Sequence, residues 1–222
     1  MNNLVLITSV INTPDKPLSY SKVRSVFTRE ERYEQTKKTI QSIKENIPDY
    51  KIMIVECTDF TEEEKSYFEK ECDYVLNLWD KKKLHANIFG LSKSHGEGTM
   101  TIEALSYIIA NNFEYNKLFK ISGRYWMTDC FNYKLFDNKK SNFHKINGAI
   151  NNIYTAFYKI PYNLTPTLLQ FLKQTENLMV QYIGYEVLFG IFLKAIKYNN
   201  VEFITKMNIC GHITVDGGFV VW

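Results

Sequence analysis

Glycine is scarce in the first part of the chain, and the motifs that depend on it are missing. The only glycine between Leu4 and Leu91 is Gly90, so no GxGxxG turn follows a first strand, and no GxxxxGK(S/T) segment occurs anywhere. Both motifs use glycine to bring the backbone close to a nucleotide phosphate. Their absence disfavours nicotinamide dehydrogenases, Rossmann-type methyltransferases and P-loop kinases.

The motifs of common hydrolases are missing as well. The sequence has no HExxH, no GxSxG and no Cys/His spacing typical of zinc sites, which disfavours zinc and serine hydrolases. The four cysteines are far apart and form no CxxC pair: Cys57, Cys72, Cys130 and Cys210. Since the N-terminus also lacks a signal-peptide pattern, we expect a reducing, cytoplasmic environment.

Long apolar runs and strong net charge are also absent. The longest apolar stretch, residues 182–196, is interrupted by Glu186 and Lys194, whereas a membrane span needs ~18 consecutive apolar residues. The net charge is only +3 and the lysines form no stripe, so we expect no integral membrane segment and no nucleic-acid partner. With 45% hydrophobic and 15% aromatic residues in a chain of 222, one domain with one core is expected.

Strands and helices are predicted to alternate through the first 122 residues. Apolar and β-branched runs indicate strands at residues 4–11, 51–57, 74–78 and 118–122. A capping-box spacing at Thr28/Glu31 predicts a helix over residues 29–46, and a second one at Thr61/Glu64 predicts a helix that continues through about residue 72. A third helix is predicted after Gly98. This alternation predicts a doubly wound, mostly parallel sheet, whose ligand crevice lies beyond the carboxyl ends of the strands.

The second half of the chain has a different pattern. A strand is predicted at residues 153–160, helices at 165–175 and 177–198, and short strands over residues 202–222. Gly184 and Gly190 interrupt the longer of the two helices. No internal repeat or linker separates the two halves, so both are expected to belong to one body.

Polar residues follow the predicted strands at the points where they end. They are Thr8, Ser9 and Asn12, then Glu56 and Thr58, then Asp80, and finally Ser122, Gly123 and Arg124. In an open α/β sheet this is the functional edge, although strand ends are also polar because loops are solvated. We interpret these residues as the rim of a ligand site.

Two glycines lie where the third helix is predicted to begin. Residues 94–99 read Ser-His-Gly-Glu-Gly-Thr, and free backbone N–H groups at a helix N-terminus suit an anion or sugar hydroxyls. His95, Gly96 and Glu97 are therefore candidate ligand-binding residues. The alternative is a loop that ends in an ordinary helix cap.

Two arginines and one glutamate are candidates for catalysis. A guanidinium at Arg124, after the fourth strand, is suited to hold a diphosphate and to offset charge on a leaving group, and Arg24 is a second candidate. Glu186 lies among apolar neighbours, where a buried carboxylate needs a partner or a function. It is a candidate for contact with the hydroxyls of an acceptor. Structural ion pairs are the alternative for all three residues.

A divalent metal site is a further hypothesis. Asp80 and His212, with Asp216 in the C-terminal segment, supply carboxylate and imidazole groups that suit Mn²⁺. Three such residues scattered along a chain also occur by chance.

Five segments resemble one family: LITSVINTPDKPLSY, RSVFTREERYEQTKKTI, SKSHGEGTMTIEAL, LFKISGRYW and IGYEVLFG. They are similar to the small GT-A-type glycosyltransferases of large DNA viruses of algae and of bacterial relatives, which build capsid or surface glycans. The resemblance implies one α/β domain over residues 1–222, with a central, mostly parallel mixed sheet flanked by helices. It further implies a nucleotide-binding half, residues 1–125, an acceptor-side half, residues 126–222, and a location in the host cytoplasm if the protein is viral.

The same resemblance implies transfer of a hexose or deoxyhexose from a UDP-sugar to a glycan hydroxyl. Thr8, Ser9 and Val10 would line the nucleoside, with Glu56 near the uracil or ribose. Arg24 and the segment Ser122, Gly123 and Arg124 would face the diphosphate, under which a divalent metal, Mn²⁺, is expected.

The sequence departs from this family at one place. Most GT-A enzymes carry Asp-x-Asp after the fourth strand, whereas this chain has SGRY there and no Asp-x-Asp anywhere. Either Asp80 and His212 supply the metal ligands, or Arg124 partly replaces the cation. Two other functions stay open, namely a catalytically inactive glycan-binding or scaffolding domain and, less favoured because no Gly-rich loop follows the first strand, a sugar nucleotidyltransferase.

Overall fold

A computed structural model describes residues 2–146 and 152–222, which contain ten strands. The strands are β1 (Asn3–Ser9), β2 (Tyr50–Glu56), β3 (Tyr74–Asn77), β4 (Lys117–Ser122), β5 (Tyr125–Met127), β6 (Ser141–Lys145), β7 (Ile153–Pro161), β8 (Val201–Phe203), β9 (Ile209–His212) and β10 (Phe219–Val221). Seven of them form one sheet in the order β3-β2-β1-β4-β7-β6-β8, and β10-β9-β5 form a smaller sheet.

The large sheet is mixed but mostly parallel, as predicted. β3, β2, β1 and β4 pair in parallel, whereas β7 is antiparallel to both β4 and β6. β1 and β2 are apolar because the sheet is covered on both faces. The four parallel strands therefore end at one edge, and the loops after β1 and β4 become neighbours there.

In the described part of the chain, seven α-helices flank the sheet. They are α1 (Arg29–Asn46), α2 (Glu62–Glu71), α3 (Lys82–Ile88), α4 (Lys93–Ala110), α5 (Thr165–Gln174), α6 (Glu176–Val180) and α7 (Tyr185–Ala195). Both predicted capping boxes are present. The hydroxyls of Thr28 and Thr61 accept from the backbone N–H of the glutamate three residues later, and the carboxylate of that glutamate accepts from the backbone N–H of the threonine. The bounds predicted for these two helices are confirmed.

The predicted start of α4 was wrong. The helix begins at Lys93, where the Ser92 hydroxyl accepts from the backbone N–H of His95 at 3.2 Å, so residues 94–99 are helical and offer no loop of free N–H groups. The glycines serve close packing instead. A Cβ on Gly96 would lie 2.7 Å from the Ile88 carbonyl oxygen, and one on Gly98 would lie 2.1 Å from the Met179 sulfur.

The predicted helix over residues 177–198 is two helices. α6 and α7 are separated at Gly184, which stands at the N-cap of α7, whereas Gly190 is accommodated inside that helix. The pattern also did not reveal α3 or the short strand β5. Two apolar clusters cover the faces of the large sheet, one under α4, α5 and α7 and the other under α1 and α2.

Across residues 2–146 and 152–222, none of the helices has the length and apolarity that crossing a membrane requires. The proposed division into halves, 1–125 and 126–222, stays a prediction. The large sheet itself draws strands from both, since β4 pairs with β7.

Candidate functional site

A cavity opens at the carboxyl ends of β1 and β4. Its walls come from both strand ends, one face of α1, the turn between α3 and α4, the first turns of α4, and Thr214, and with its open mouth it has a volume of about 760 Å³. This is the edge at which an α/β sheet binds ligands. The predicted site residues that line it are Thr8, Ser9, Val10, Arg24, Gly96, Glu97, Ser122, Gly123 and Arg124, whereas the predicted rim residues Asn12, Glu56, Thr58 and Asp80 do not.

Gly123 brings the two strand ends into contact. Its N–H donates to the Thr8 carbonyl at 2.9 Å, and its carbonyl accepts from the Thr36 hydroxyl at 2.9 Å. A Cβ on Gly123 would lie 2.7 Å from the Ser9 Cβ, so only glycine fits without displacement of the neighbouring strand end. The cavity floor is therefore fixed, and it holds the start of the Arg124 side chain in place.

Three of the four arginines in the chain line this one cavity: Arg24, Arg32 and Arg124. The fourth, Arg29, pairs outside the cavity with Glu64 at 2.6 Å. Arg32 was not among the predicted site residues. It lies on the buried face of α1, and the sequence does not show which face of this helix packs against the sheet. Arginine forms bidentate bonds to phosphates, so its concentration here indicates an anion site.

Backbone carbonyls hold the three guanidinium groups. Arg24 donates to the carbonyls of Ile88 at 3.5 Å and Phe89 at 3.2 Å, and also to that of Gly90. The Nε atoms of Arg32 and Arg124 donate to the carbonyls of Val10 at 2.6 Å and His212 at 3.1 Å. A neutral carbonyl fixes the direction of a guanidinium without cancelling its charge.

Lys93 adds a fourth cation to the cavity wall. Among the described residues its ammonium group makes no hydrogen bond or ion pair. Burial and the charge of Arg124 lower the pKa of Lys93 to about 8, and the same two causes lower the pKa of Arg32 to about 9. The cations are thus close enough to repel one another, and a bound anion would relieve that repulsion.

Among the residues that the structure describes, Glu97 is the only carboxylate that lines the cavity. Its Oε1 lies 2.5 Å from the Nζ of Lys120, which is fully buried and also donates to Ser122 Oγ at 3.0 Å and to the Thr155 carbonyl at 2.8 Å. Burial alone would raise the pKa of Glu97, but the charge and hydrogen bond of Lys120, together with the charges of Lys93 and Arg124, lower it. Glu97 therefore carries a charge that Lys120 already neutralises. Lys120 lies within the otherwise apolar strand segment LFKIS, and this is the sequence feature from which a buried ion pair could have been predicted.

A second cavity adjoins the first and shares Lys93 and Glu97 with it. With its open mouth it has a volume of about 620 Å³, and Tyr20, Tyr185 and Glu186 are among the residues that line it. Burial, with the nearby charge of Glu97, raises the pKa of Glu186. A carboxylate with a raised pKa is suited to accept a proton near neutral pH.

Two predicted site residues lie near the cavity without lining it. Glu56 is fully buried behind the rim, where its Oε1 accepts from the backbone N–H of Ile11 at 3.2 Å and of Cys57 at 2.9 Å. It fixes the loops after β1 and β2 rather than lining the opening. His95 faces α6, where its Nε2 lies 3.4 Å from Glu176 Oε1.

Burial raises the pKa of Glu56 to about 7, against ~4.3 in an unfolded chain. The folded state therefore holds its proton to higher pH, and stability falls as pH rises between these two values. We expect the wild-type protein to lose up to about 3 kcal/mol of unfolding free energy between about pH 4 and about pH 8 through this group. Glu56→Gln, which mimics the protonated acid, should lack this slope in chemical denaturation. An equal pH slope in both proteins would contradict the assignment.

The residues predicted to bind Mn²⁺, Asp80 and His212, are not placed at the cavity. In the described part of the chain, no three His, Cys, Asp or Glu side chains are grouped as metal ligands. Asp80 is exposed in the turn before α3, and the His212 ring is surrounded by the rings of Phe27, Trp126 and Phe219. Neither residue lines the cavity. The metal assignment to Asp80 and His212 thus has no geometric support.

Solved structures share this fold. Core-mannan synthase A (CmsA/Ktr4) from Aspergillus fumigatus, in its Mn/GDP form, superimposes with a TM-score of 0.56 at 11% identity over 96% of this chain and 75% of that chain. The fold is the GT-A fold of nucleotide-sugar transferases. The predicted fold class is confirmed.

Two further neighbours come from Streptococcus pneumoniae. The glycosyltransferase GlyE has a TM-score of 0.53 at 12% identity over 92% of this chain, which spans 45% of GlyE. The CTP:phosphocholine cytidylyltransferase LicC has a TM-score of 0.50 at 13% identity over 98% of this chain and 96% of that one. No protein-family model and no curated protein sequence matches the chain.

Proposed function

We propose that this chain is a glycosyltransferase that moves a hexose or deoxyhexose from a UDP-sugar to a hydroxyl of a glycan, in the synthesis of capsid or surface glycans. The observation that carries the proposal is the convergence of Arg24, Arg32, Lys93 and Arg124 on one cavity at the β1 and β4 ends. In the GT-A fold this edge is where a nucleotide-sugar is expected to lie. The diphosphate of a nucleoside diphosphate would neutralise the charge of these four cationic side chains.

Each cavity is expected to hold a different substrate, the nucleotide-sugar in the first and the acceptor in the second. The nucleoside is expected beside Thr8 and Val10, and the diphosphate beside Arg124 and Lys93. The sugar then lies near the wall that both cavities share, and the acceptor hydroxyl approaches through the second cavity, next to Glu186.

The reaction requires charge to move toward the diphosphate. The acceptor oxygen bonds to the anomeric carbon, the bond from that carbon to the β-phosphate oxygen breaks, and its electron pair stays on the diphosphate. Arg124 stabilises this developing charge through nitrogens already directed by the His212 carbonyl. Glu186 takes the proton of the acceptor hydroxyl.

Thermal-shift screening tests the donor class. UDP is expected to raise the melting temperature more than GDP, ADP or CMP, because a ligand at 100 times its Kd adds ~2.7 kcal/mol of stability. UDP-sugars should then be hydrolysed slowly without an acceptor. A melting temperature that no nucleotide raises would contradict the proposal and favour a glycan-binding or scaffolding domain.

A nucleotidyltransferase is the second candidate, because LicC matches this chain over nearly the full length of both. Such an enzyme combines a nucleoside triphosphate with a phosphorylated substrate and releases pyrophosphate. The absence of a Gly-rich loop after β1 disfavours it. Pyrophosphate release from UTP or CTP with sugar phosphates would favour it over the transferase.

A further inference from the structure

The cavity at the ends of β1 and β4 is lined by positive side chains, whereas a divalent metal site is lined by negative or neutral oxygen donors. Within residues 2–146 and 152–222, four cationic side chains and one carboxylate line this cavity, and the carboxylate, Glu97, is paired with Lys120. A divalent cation needs several free oxygen donors. These residues offer free nitrogen donors instead.

We propose that this enzyme holds the donor diphosphate and stabilises its departure with Arg24, Arg32, Lys93 and Arg124, without a divalent metal. The inference rests on the proposed function, and it names the groups that replace the usual metal of a GT-A enzyme. Arg124 takes the central role, because it follows β4 where most GT-A enzymes carry Asp-x-Asp. Gly123 places it there by its contact with Ser9.

The geometry leaves nitrogens of the cluster free for an anion. Arg124 and Arg32 are tethered to carbonyls through Nε, and Arg32 Nη1 also donates to Ser25 Oγ at 3.4 Å. Lys93 makes no hydrogen bond or ion pair within the described residues. Three other buried atoms on the cavity wall also lack partners there: Arg24 Nε and Thr214 Oγ1, which can donate to an anion, and Gln35 Oε1, which only accepts. Gln35 is 9% exposed and Thr214 5%. Buried polar atoms are seldom left unpaired, so unpaired ones on a cavity wall indicate a missing ligand.

The electrostatics support the same conclusion. Arg124 contributes to the lowered pKa of both Lys93 and Arg32. Structural ion pairs do not explain this grouping of cations. Glu97, the one acid among the described residues that line this cavity, already has a partner in Lys120. The charges of Glu186 on Lys93 and of Glu56 on Arg32 do not prevent the pKa of either cation from being lowered. A diphosphate brings two or more negative charges, which offset this repulsion without a metal.

No metal is needed to balance the transfer step. One carbon–oxygen bond forms and one breaks at the anomeric carbon, the leaving electron pair resides on the β-phosphate oxygen, and the acceptor proton goes to Glu186. The four cations act only on the charge of the leaving group. Their fixed positions mean that little reorganisation accompanies the reaction.

Calorimetric titration of the full chain with UDP, in excess EDTA and in excess MnCl₂, tests this inference. We expect equal affinity in the two conditions, and a loss of about tenfold or more in Arg124→Met and Lys93→Met, because each removes a charge-assisted bond. Arg29→Met, which removes an arginine outside the cavity, should bind UDP like the wild type. Melting temperatures of the free variants establish that they are folded.

The outcomes separate the two claims. Binding of UDP only with MnCl₂ would overturn the metal-free inference and leave the proposed function in place. Binding in neither condition would overturn the proposed function itself. As a second readout, sugar transfer in EDTA should proceed at the rate seen with MnCl₂, and a loss of transfer in EDTA that MnCl₂ restores would also overturn the inference.

Discussion

Arg124→Ala is expected to lower kcat for sugar transfer by about 10²-fold or more, since stabilisation of leaving-group charge is usually the largest catalytic term. The guanidinium is directed by the His212 carbonyl at 3.1 Å and stands on the strand end that Gly123 fixes. Alanine removes the charge and both terminal nitrogens. Steady-state kinetics with a UDP-sugar and a glycan acceptor measure the effect.

Two variants sharpen this test. Arg29→Ala removes an arginine that pairs with Glu64 outside the cavity, so its kcat should match the wild type once its folding is verified. Arg124→Lys keeps the charge but loses the bidentate geometry, and should lie between wild type and alanine. Unchanged turnover in Arg124→Ala would remove this residue from the mechanism.

Glu186→Gln is expected to lower kcat by about 10²- to 10⁴-fold, the usual contribution of a general base. The amide keeps the shape of the side chain but accepts no proton. UDP affinity should stay close to that of the wild type, because Glu186 does not line the first cavity and acts there only through its charge on Lys93, which lines both. Pre-steady-state transfer kinetics, with UDP affinity measured in parallel, distinguish loss of chemistry from loss of binding.

The pH profile gives an independent check on Glu186. Burial, followed by the charge of Glu97, raises its pKa, and a base acts in its ionised form. The wild-type kcat should therefore fall as the pH drops through this raised pKa, and the variant should lose that limb. Glu176→Gln, which changes a glutamate beside His95 outside both cavities, serves as the matched control. Loss of the acidic limb in the control, or its retention in Glu186→Gln, would contradict the assignment.

Local chemistry made much of the fold predictable from the sequence. Thr28 and Thr61 set the starts of α1 and α2 because each capping box lies within four residues. The buried strands were visible as apolar runs. Their alternation with helices then predicted a ligand site at the carboxyl ends of the strands, and a cavity lies there, beside the ends of β1 and β4.

The features that were missed depend on tertiary contacts. α4 begins before its glycines because Gly96 packs on the Ile88 carbonyl and Gly98 on Met179, and a sequence pattern shows neither contact. Lys93 and Arg32 were not among the predicted site residues, because only the folding of the turn after α3 and of the α1 face brings them to one cavity. Glu56, in contrast, stood at a predicted strand end, but the direction of its side chain decided its structural role.

A crystal structure of the chain with UDP, grown in EDTA, tests the central claim most directly. The account predicts a diphosphate within hydrogen-bond distance of Arg124 and Lys93, beside Thr8 and Val10, with no metal peak between its phosphates. UDP bound elsewhere on the protein, with this cavity empty, would contradict it.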